Sequence, residues 1–521
     1  MTQTSQTPTE HRKGPSRARQ LGGLIVLLLP ALLVSMDVSI LFVASPSVAQ
    51  DLAPSSTEWL WMLDSYSFVV AALLVTMGSL ADRIGRRRLL MIGAVAFGAA
   101  SLALAMAPSP GLFITGRILL GVGAATLAPS TLAILRDIFE EPEARRRAVA
   151  SWTVAYTGGA VAGPVLGGLL LSVFEWPAVF LINLPVMALL LIAGPLLLPE
   201  SKNSQESHFD LPGAALSLIA LFSIVFAVKR FAEYGNDQLA WGTLVGGVVI
   251  LIGFIARQRR AEHPLIDISL FRRGDFTGAV LANLLAALVM VGIGALAFTY
   301  LQSVHDLSPL QAALYALPTF IGTAVGAAVC AELAKRISPR TIIMTGFLIA
   351  AAGFAFIGAT AGADSPWWFV GGYVPLTFGA AGMVSALANT LIISTAPAER
   401  TGSAASVSET GVQLGGALGI AAFGLLSTIF YRQEMAETAP DVSATDDSLA
   451  EAESAANHLP TDQATALLDA ASSAFASSMG TVAFIIAGLS LAAAILTGAL
   501  LRRVPVTVER AQEDEESTST T

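Results

Sequence analysis

Four ionisable residues interrupt long apolar stretches of this chain: Asp37, Asp64, Arg117 and Glu409. A charge at the centre of a bilayer costs at least about 2.5–3.5 kcal/mol, so such groups are functional candidates by default. A carboxyl taken out of water favours its neutral form, and a nearby guanidinium favours the charged one. A carboxyl in that setting can hold a proton or a cation, but not both. Changing its distance from an arginine switches its hold on the proton. Glu409 also admits a packing role near the end of its span, and Arg117 a structural one.

Aromatic side chains are the second set. Trp152 and Tyr156 are four apart and share a helix face. With Phe298, Tyr300 and Phe378 they are candidates to line a cavity, as are Trp59, Trp61, Tyr66 and Phe68. Aromatic faces attract lipophilic cations by about 0.5–2 kcal/mol. The alternative is an interfacial or lipid-facing position, above all for Trp59 and Trp61.

These groups need an apolar frame. Of 521 residues, 54% are hydrophobic and 13% charged, against about 25% charged in soluble domains. A bilayer accommodates that excess where one globular core cannot. A spanning helix takes about 20 apolar residues. That window marks fourteen spans, near 21–43, 59–80, 89–107, 112–134, 148–172, 178–198, 211–229, 239–256, 276–301, 309–331, 341–361, 367–393, 403–429 and 478–501. The runs are long and do not alternate, so they read as helices rather than barrel strands. The basic segment 1–20 precedes a run too long for a signal peptide, and no cleavable leader is expected. Arginines and lysines crowd the N-terminus and even-numbered loops, among them Arg83, Arg86, Arg87, Arg88 and Arg145 to Arg147. The rule that positive loops stay inside places both termini in the cytoplasm, in the cell (inner) membrane.

The net charge of -9 comes largely from two polar stretches. Residues 431–477 form an acidic segment on the outer side, either a solvated loop or a field that concentrates cations. The tail 502–521 is acidic toward its end and Ser/Thr-rich. Residues 80–87 and 333–340 resemble each other, each following the second span of a half. The expected organisation is a tail (1–20), a six-helix bundle (21–200), two inserted helices (201–274), a second six-helix bundle (275–501) and a tail (502–521). Internal repeats of this kind place a substrate site at the repeat interface.

The most specific motif is Gly78-Ser79-Leu80-Ala81-Asp82-Arg83-Ile84-Gly85-Arg86-Arg87-Arg88. It resembles the loop 2–3 signature of the major facilitator superfamily, GxLaDrxGrrxxl. Arg117 to Ala125 looks like the span-4 signature of proton-coupled members. Gly159-Ala160-Val161-Ala162-Gly163-Pro164-Val165-Leu166-Gly167-Gly168 resembles the span-5 antiporter signature. The chain as a whole resembles the fourteen-helix drug:proton antiporters, the QacA/SmvA-like multidrug efflux proteins. Supporting stretches are Met36-Asp37, Trp59 through Tyr66, Phe180 to Pro185 and Pro264 to Asp267. The resemblance implies an all-α membrane fold of two six-helix bundles plus two inserted helices. It implies export of quaternary ammonium compounds and cationic dyes in exchange for protons. Asp37, Asp64 and Glu409 match acids the family uses, and Arg117 the span-4 charge. Gly78, Asp82, Arg83, Gly85, Arg86 and Arg87, with Gly163, Pro164, Gly167 and Gly168, match its conformational motifs.

Some members carry a further acid in span 10, linked to dications. Leu317 to Thr323 has none here, and Ser408 rather than an acid precedes Glu409. Monovalent cations are therefore expected to be handled better than divalent ones. A competition assay in which bis-quaternary compounds are exported as well as monovalent dyes would contradict this.

Other classes fare poorly. No P-loop, HExxH, GxSxG or paired CxxC motif occurs in the sequence, so neither ATP drive nor enzymatic chemistry is expected. Cys330 stands alone and the five histidines are scattered, so no disulfide, metal or cofactor is expected. Expected partners are protons, lipophilic cationic drugs and membrane lipids, with no nucleic acid and a functional monomer. A same-energetics exporter of an antibiotic, lipid or metabolite is the alternative.

Overall fold

The computed structural model describes residues 17–139, 141–201, 211–234, 237–261, 268–395, 401–438, 449–456 and 459–502. The basic N-terminal residues before Arg17, Lys202, the Pro264 to Asp267 stretch, Arg400 and the C-terminal tail lie outside them.

Apolar runs without water to satisfy the backbone fold as helices. The first bundle holds α1 (Arg17–Leu52), α2 (Ser56–Ile84), α3 (Arg86–Ala105), α4 (Pro110–Ile138), α5 (Pro142–Leu171) and α6 (Ala178–Leu197, with a break at Ile182). Then come α7 (Leu211–Tyr234) and α8 (Gln238–Gln258). The second bundle holds α9 (Gly274–Val304), α10 (Pro309–Leu333), α11 (Pro339–Thr360), α12 (Pro366–Thr395), α13 (Thr401–Thr438) and α14 (Thr461–Leu500). Their outer faces are apolar: Ile192, Leu196 and Ile495 are 71%, 70% and 71% exposed. Such side chains belong in lipid, not water.

Among the described residues, 12 helices are long and apolar enough to cross a membrane. The expected spans 59–80 and 211–229 fall on α2 and α8's partner α7, which are helical but not among those 12. The acidic segment 431–477 is more ordered than expected. α13 runs on to Thr438, a short helix covers Leu449–Ala456, and α14 begins at Thr461. Its described acids Glu434, Glu437, Glu451, Glu453, Asp462 and Asp469 therefore sit on helices.

The repeat is clearer in space than in sequence. In the first bundle α1 packs on α5, α2 and α3 on α4, and α6 on α1 and α3. In the second, α9 packs on α13, α10 and α11 on α12, and α14 on α9 and α11. The bundles meet reciprocally, α2 on α13 and α10 on α5. Two loops repeat atom by atom. Ser55 caps α2 in a box with Glu58, and Ser308 caps α10 in a box with Gln311. Two residues before each cap stands a non-glycine residue with positive φ, Ala53 (42°) and Asp306 (52°). Both pairs have the same offset as the repeat joining 80–87 to 333–340.

α7 and α8 pack on each other, and α7 leans on α2 and α13 from outside. Trp61 joins this contact, with ring centroids 5.6 Å from Phe222 and 6.3 Å from Phe226.

Candidate functional site

Arg117 and Asp37 sit 80 residues apart in sequence and meet inside the first bundle. Arg117 Nη1 donates to Asp37 Oδ2 at 2.5 Å, with the two side chains 0% and 1% exposed. Arg117 is held from three sides. Its Nη2 donates to the Leu63 carbonyl at 3.4 Å, and its Cζ lies 4.7 Å above the Tyr66 ring. That geometry adds cation–π attraction. Tyr66 is itself fixed, its hydroxyl donating to the Val34 carbonyl at 3.1 Å. Asp37 Oδ1 makes no hydrogen bond of ordinary geometry among the described residues. The Asn183 amide of α6 stands nearby, held by Nδ2 donating to Ser101 Oγ at 3.1 Å. Asp64 is fully buried on α2 beside Leu63. Helices α1, α2, α4 and α6 thus converge on one ion pair.

Glu409, on α13 across the bundle interface, is half-buried and accepts from Gln413 Nε2 at 3.1 Å. It lies within electrostatic reach of Tyr66 and Tyr156. Trp152 and Tyr156 stack face to face, centroids 5.2 Å apart and planes 13° apart. Trp152 Nε1 donates to Thr131 Oγ1 at 3.1 Å. The structure therefore brings together Asp37, Arg117, Tyr66, Tyr156 and, from the second bundle, Glu409. It does not bring Tyr300 there. The Tyr300 hydroxyl donates to the Ala361 carbonyl and its ring packs 4.9 Å from Phe369, inside the second bundle. Phe298 is buried in core packing. Phe378 begins a π-helical turn, Phe378–Ser385, against α10 and α11.

The arginine-bearing end of the first bundle is tied by ion pairs. Gly85 joins α2 to α3 at φ 112°, a backbone region L side chains rarely adopt. A Cβ there would also sit 2.6 Å from Glu200 Oε1. Arg86 Nη1 donates to both oxygens of Asp137 at 2.8 Å, and Ser201 Oγ donates to the same carboxylate. Arg87 donates from its backbone to Glu200 Oε1 at 3.2 Å and from Nη1 to the Leu198 carbonyl at 3.0 Å. Arg83 is exposed, Gly78 faces open space, and the Asp82 side chain lies outside the described residues. Sequence reasoning missed Asp137, Glu200 and Asn183. Asp137 directly follows Arg136 at the end of its span, a lone acid amid arginines that could have been read as their counter-charge.

The glycine run of α5 serves two seams. A Cβ on Gly163 would lie 2.1 Å from Ser39 Oγ, and one on Gly167 2.7 Å from Ile40 Cγ1, both on α1. Pro164 lies between them inside the helix. Gly168 instead faces the second bundle, where a Cβ would come within 2.6 Å of Leu310 Cα. The contacts between bundles cluster at this end, away from the arginine loops. Gly424 approaches Leu60, Gly294 approaches Phe42, and Gln302 Nε2 donates to the Val43 carbonyl at 3.0 Å. One apolar core runs through both bundles here. At the arginine end the second bundle has its own core, including Phe276, Ile343 and Leu391. Among the described residues, the bundles share one core at the far end and have separate cores at the arginine end.

Residues 27–420 match the Major Facilitator Superfamily. The chain belongs to that superfamily. It is 39% identical over 504 residues to the "Multidrug efflux pump LfrA" of Mycolicibacterium smegmatis, covering 96% of this chain and 98% of that one. It is 34% identical to the "Methyl viologen resistance protein SmvA" of Salmonella typhimurium, covering 88% and 93%. It is 31% identical to the "Tetracenomycin C resistance and export protein" of Streptomyces glaucescens, covering 96% and 94%. Among solved structures, a bacterial homologue of the human lysosomal transporter Spinster shares the fold, with a TM-score of 0.66 at 16% identity over 94% of this chain and 99% of that one. The relatives are transporters, and this superfamily chain is a multi-pass membrane protein. The facilitator fold accounts for the reciprocal seams, α2–α13 and α5–α10, as equivalent contacts of two repeated bundles. Among the described residues no cluster of His, Cys, Asp and Glu could hold a metal ion.

The stacked pair makes a direct prediction. Trp152→Ala should weaken binding of an aromatic monovalent dye about 2- to 30-fold, the equivalent of a cation–π contact of about 0.5–2 kcal/mol. Fluorescence titration of the purified protein checks it. An unchanged affinity removes this pair from the binding surface.

Proposed function

We propose that this transporter exports lipophilic cations, quaternary ammonium compounds and cationic dyes among them, in exchange for protons. The observation that carries the reading is the sealed Arg117–Asp37 pair, with Asp64 buried next to the Leu63 that Arg117 also contacts and a stacked aromatic pair, Trp152 and Tyr156, in the same bundle. With the bundles parted at the arginine end, a cation enters toward Tyr156, Trp152 and Glu409, and the acids give up protons. The bundles then rock, Gly168 leaves Leu310, and the far end opens. Protons from that side neutralise Asp64 and Glu409, and Asp37 as Arg117 withdraws. The cation, having lost its counter-charge, departs. Competition for the same negative charge is the coupling.

The finer topology belongs to this reading. Helices α2 and α7, with 29 and 24 residues, are long enough to span and complete fourteen crossings. Both termini and the arginine loops face the cytoplasm by charge asymmetry, in the inner membrane. The units are 21–200, 201–274 and 275–501, and a monomer suffices because the pathway lies between bundles of one chain. An antibiotic-specific exporter is the second reading, favoured by the relative named for tetracenomycin C; an efflux profile confined to one neutral compound would select it.

The test is ethidium accumulation in cells stripped of their own pumps. Wild type should lower accumulation, and a protonophore or Asp64→Asn should return it to the level of empty cells. Full export by the variant, or export that ignores the protonophore, refutes the coupling.

A further inference from the structure

We propose a second cation station at the end away from the arginine loops, in a cavity between the bundles, that takes the quaternary ammonium head of a lipophilic monocation on its way out. The proposal rests on the efflux reading for its direction of travel. The cavity measures about 120 Å³ and is lined by α1, α2, α9, α13 and α14 together with the short helix Leu449–Ala456. Its volume suits one small ring or an ammonium head, since a cavity of roughly 150 Å³ takes benzene. Trp59, Tyr431 and Phe475 contribute aromatic wall. Among the described residues, Glu453, from the short helix, is the only acidic or basic residue in that lining. A single carboxylate beside three aromatic rings is the chemistry that recognises a greasy monocation.

Three further features join this cavity to transport. Leu63 forms part of its lining, and the Leu63 carbonyl accepts from Arg117. The cavity is therefore one residue away from the central ion pair. Both bundles line it, so rocking must reshape it. The short helix is seated rather than dangling: Leu449, Ala452 and Ala456 are buried in the core, and Gln50 of α1 donates to Glu453 Oε2 at 2.8 Å. That bond fixes the carboxylate at the rim; among the described residues its other oxygen, Oε1, has no hydrogen-bond donor and is placed for a ligand.

Glu453→Gln separates charge from architecture, because a glutamine oxygen can still accept from Gln50. The experiment uses full-length protein in nanodiscs, in a Trp152→Ala, Glu409→Gln background that removes the central cation contacts. Phenyltrimethylammonium is the probe and tert-butylbenzene its neutral isostere. Equilibrium binding of the cation should fall about tenfold or more in Glu453→Gln, as expected for loss of a charged partner, with the isostere changed less than about twofold. An unchanged cation affinity overturns the station. Equal loss of both probes also overturns it, since the helix has then merely come away. If cation binding depends on Glu453 while efflux ignores Asp37, the station stands and the central reading fails; the opposite pattern fails the station alone.

Discussion

Asp37→Asn and Arg117→Gln are each expected to unfold at lower temperature than wild type and to export nothing, whereas the double variant regains stability without regaining export. Breaking a buried ion pair by removing one partner costs about 3–5 kcal/mol, because a bare charge stays behind in low dielectric. Here the partners are 1% and 0% exposed, so water cannot take over the lost contact. In Asp37→Asn the guanidinium keeps the Leu63 carbonyl and the Tyr66 ring, but its charge is no longer matched. In Arg117→Gln the carboxylate is left with no cation. The double variant leaves two amides at the site of the former 2.5 Å contact, with no net charge to bury. Yet neither amide can take up and release a proton, so coupling stays lost. Thermal unfolding of purified protein and ethidium efflux in cells read the two effects separately. If the double variant is no more stable than the singles, the pair is not the unit described here. If it exports, proton exchange resides elsewhere.

The second large effect is conformational. Gly168→Val should drive the population away from the state described here. A Cβ at Gly168 would come within 2.6 Å of Leu310 Cα and 2.9 Å of its nitrogen, and backbone cannot rotate out of the way. Forcing extra carbons into a packed seam costs about 1–3 kcal/mol, enough to change a two-state ratio by about 5- to 150-fold. Relief comes when the bundles separate at that end. Spin labels on the far ends of α5 and α10 should report a longer mean distance in the variant, and efflux should fall because one half of the cycle is starved. Gly163→Val would instead strike α1, at Ser39 Oγ and the Met36 carbonyl, within one bundle. Its effect should appear as lost stability with no change in that distance. A Gly168→Val protein with the wild-type distance distribution would mean the bundles part elsewhere.

Much of this was legible early because hydrocarbon is an unforgiving solvent. Every charge inside a long apolar run must have a reason, so Asp37, Asp64, Arg117 and Glu409 announced themselves by position alone. Trp152 and Tyr156 could be placed on one face by their spacing, and they stack. The glycine-rich signatures pointed to seams because only a missing side chain lets backbones approach so closely. Length and apolarity also marked the helices.

What spacing could not say is which helix meets which. Arg117 and Asp37 are joined only because α1 and α4 are packed side by side, and Asn183 reaches them only because α6 closes the ring. Tyr300 and Tyr156 looked alike as aromatic residues in spans; the fold turned one into the second bundle's packing and the other toward the shared interface. Gly167 and Gly168 are neighbours in the chain, yet one serves α1 and the other the opposite bundle. The sequence by itself determined the solvent this protein lives in, the groups that must be accounted for there, and the repeat hidden in its loops. Tertiary structure alone decided which charges neutralise each other and which helices form the seam between bundles, because both depend on distances between helices that lie far apart along the chain.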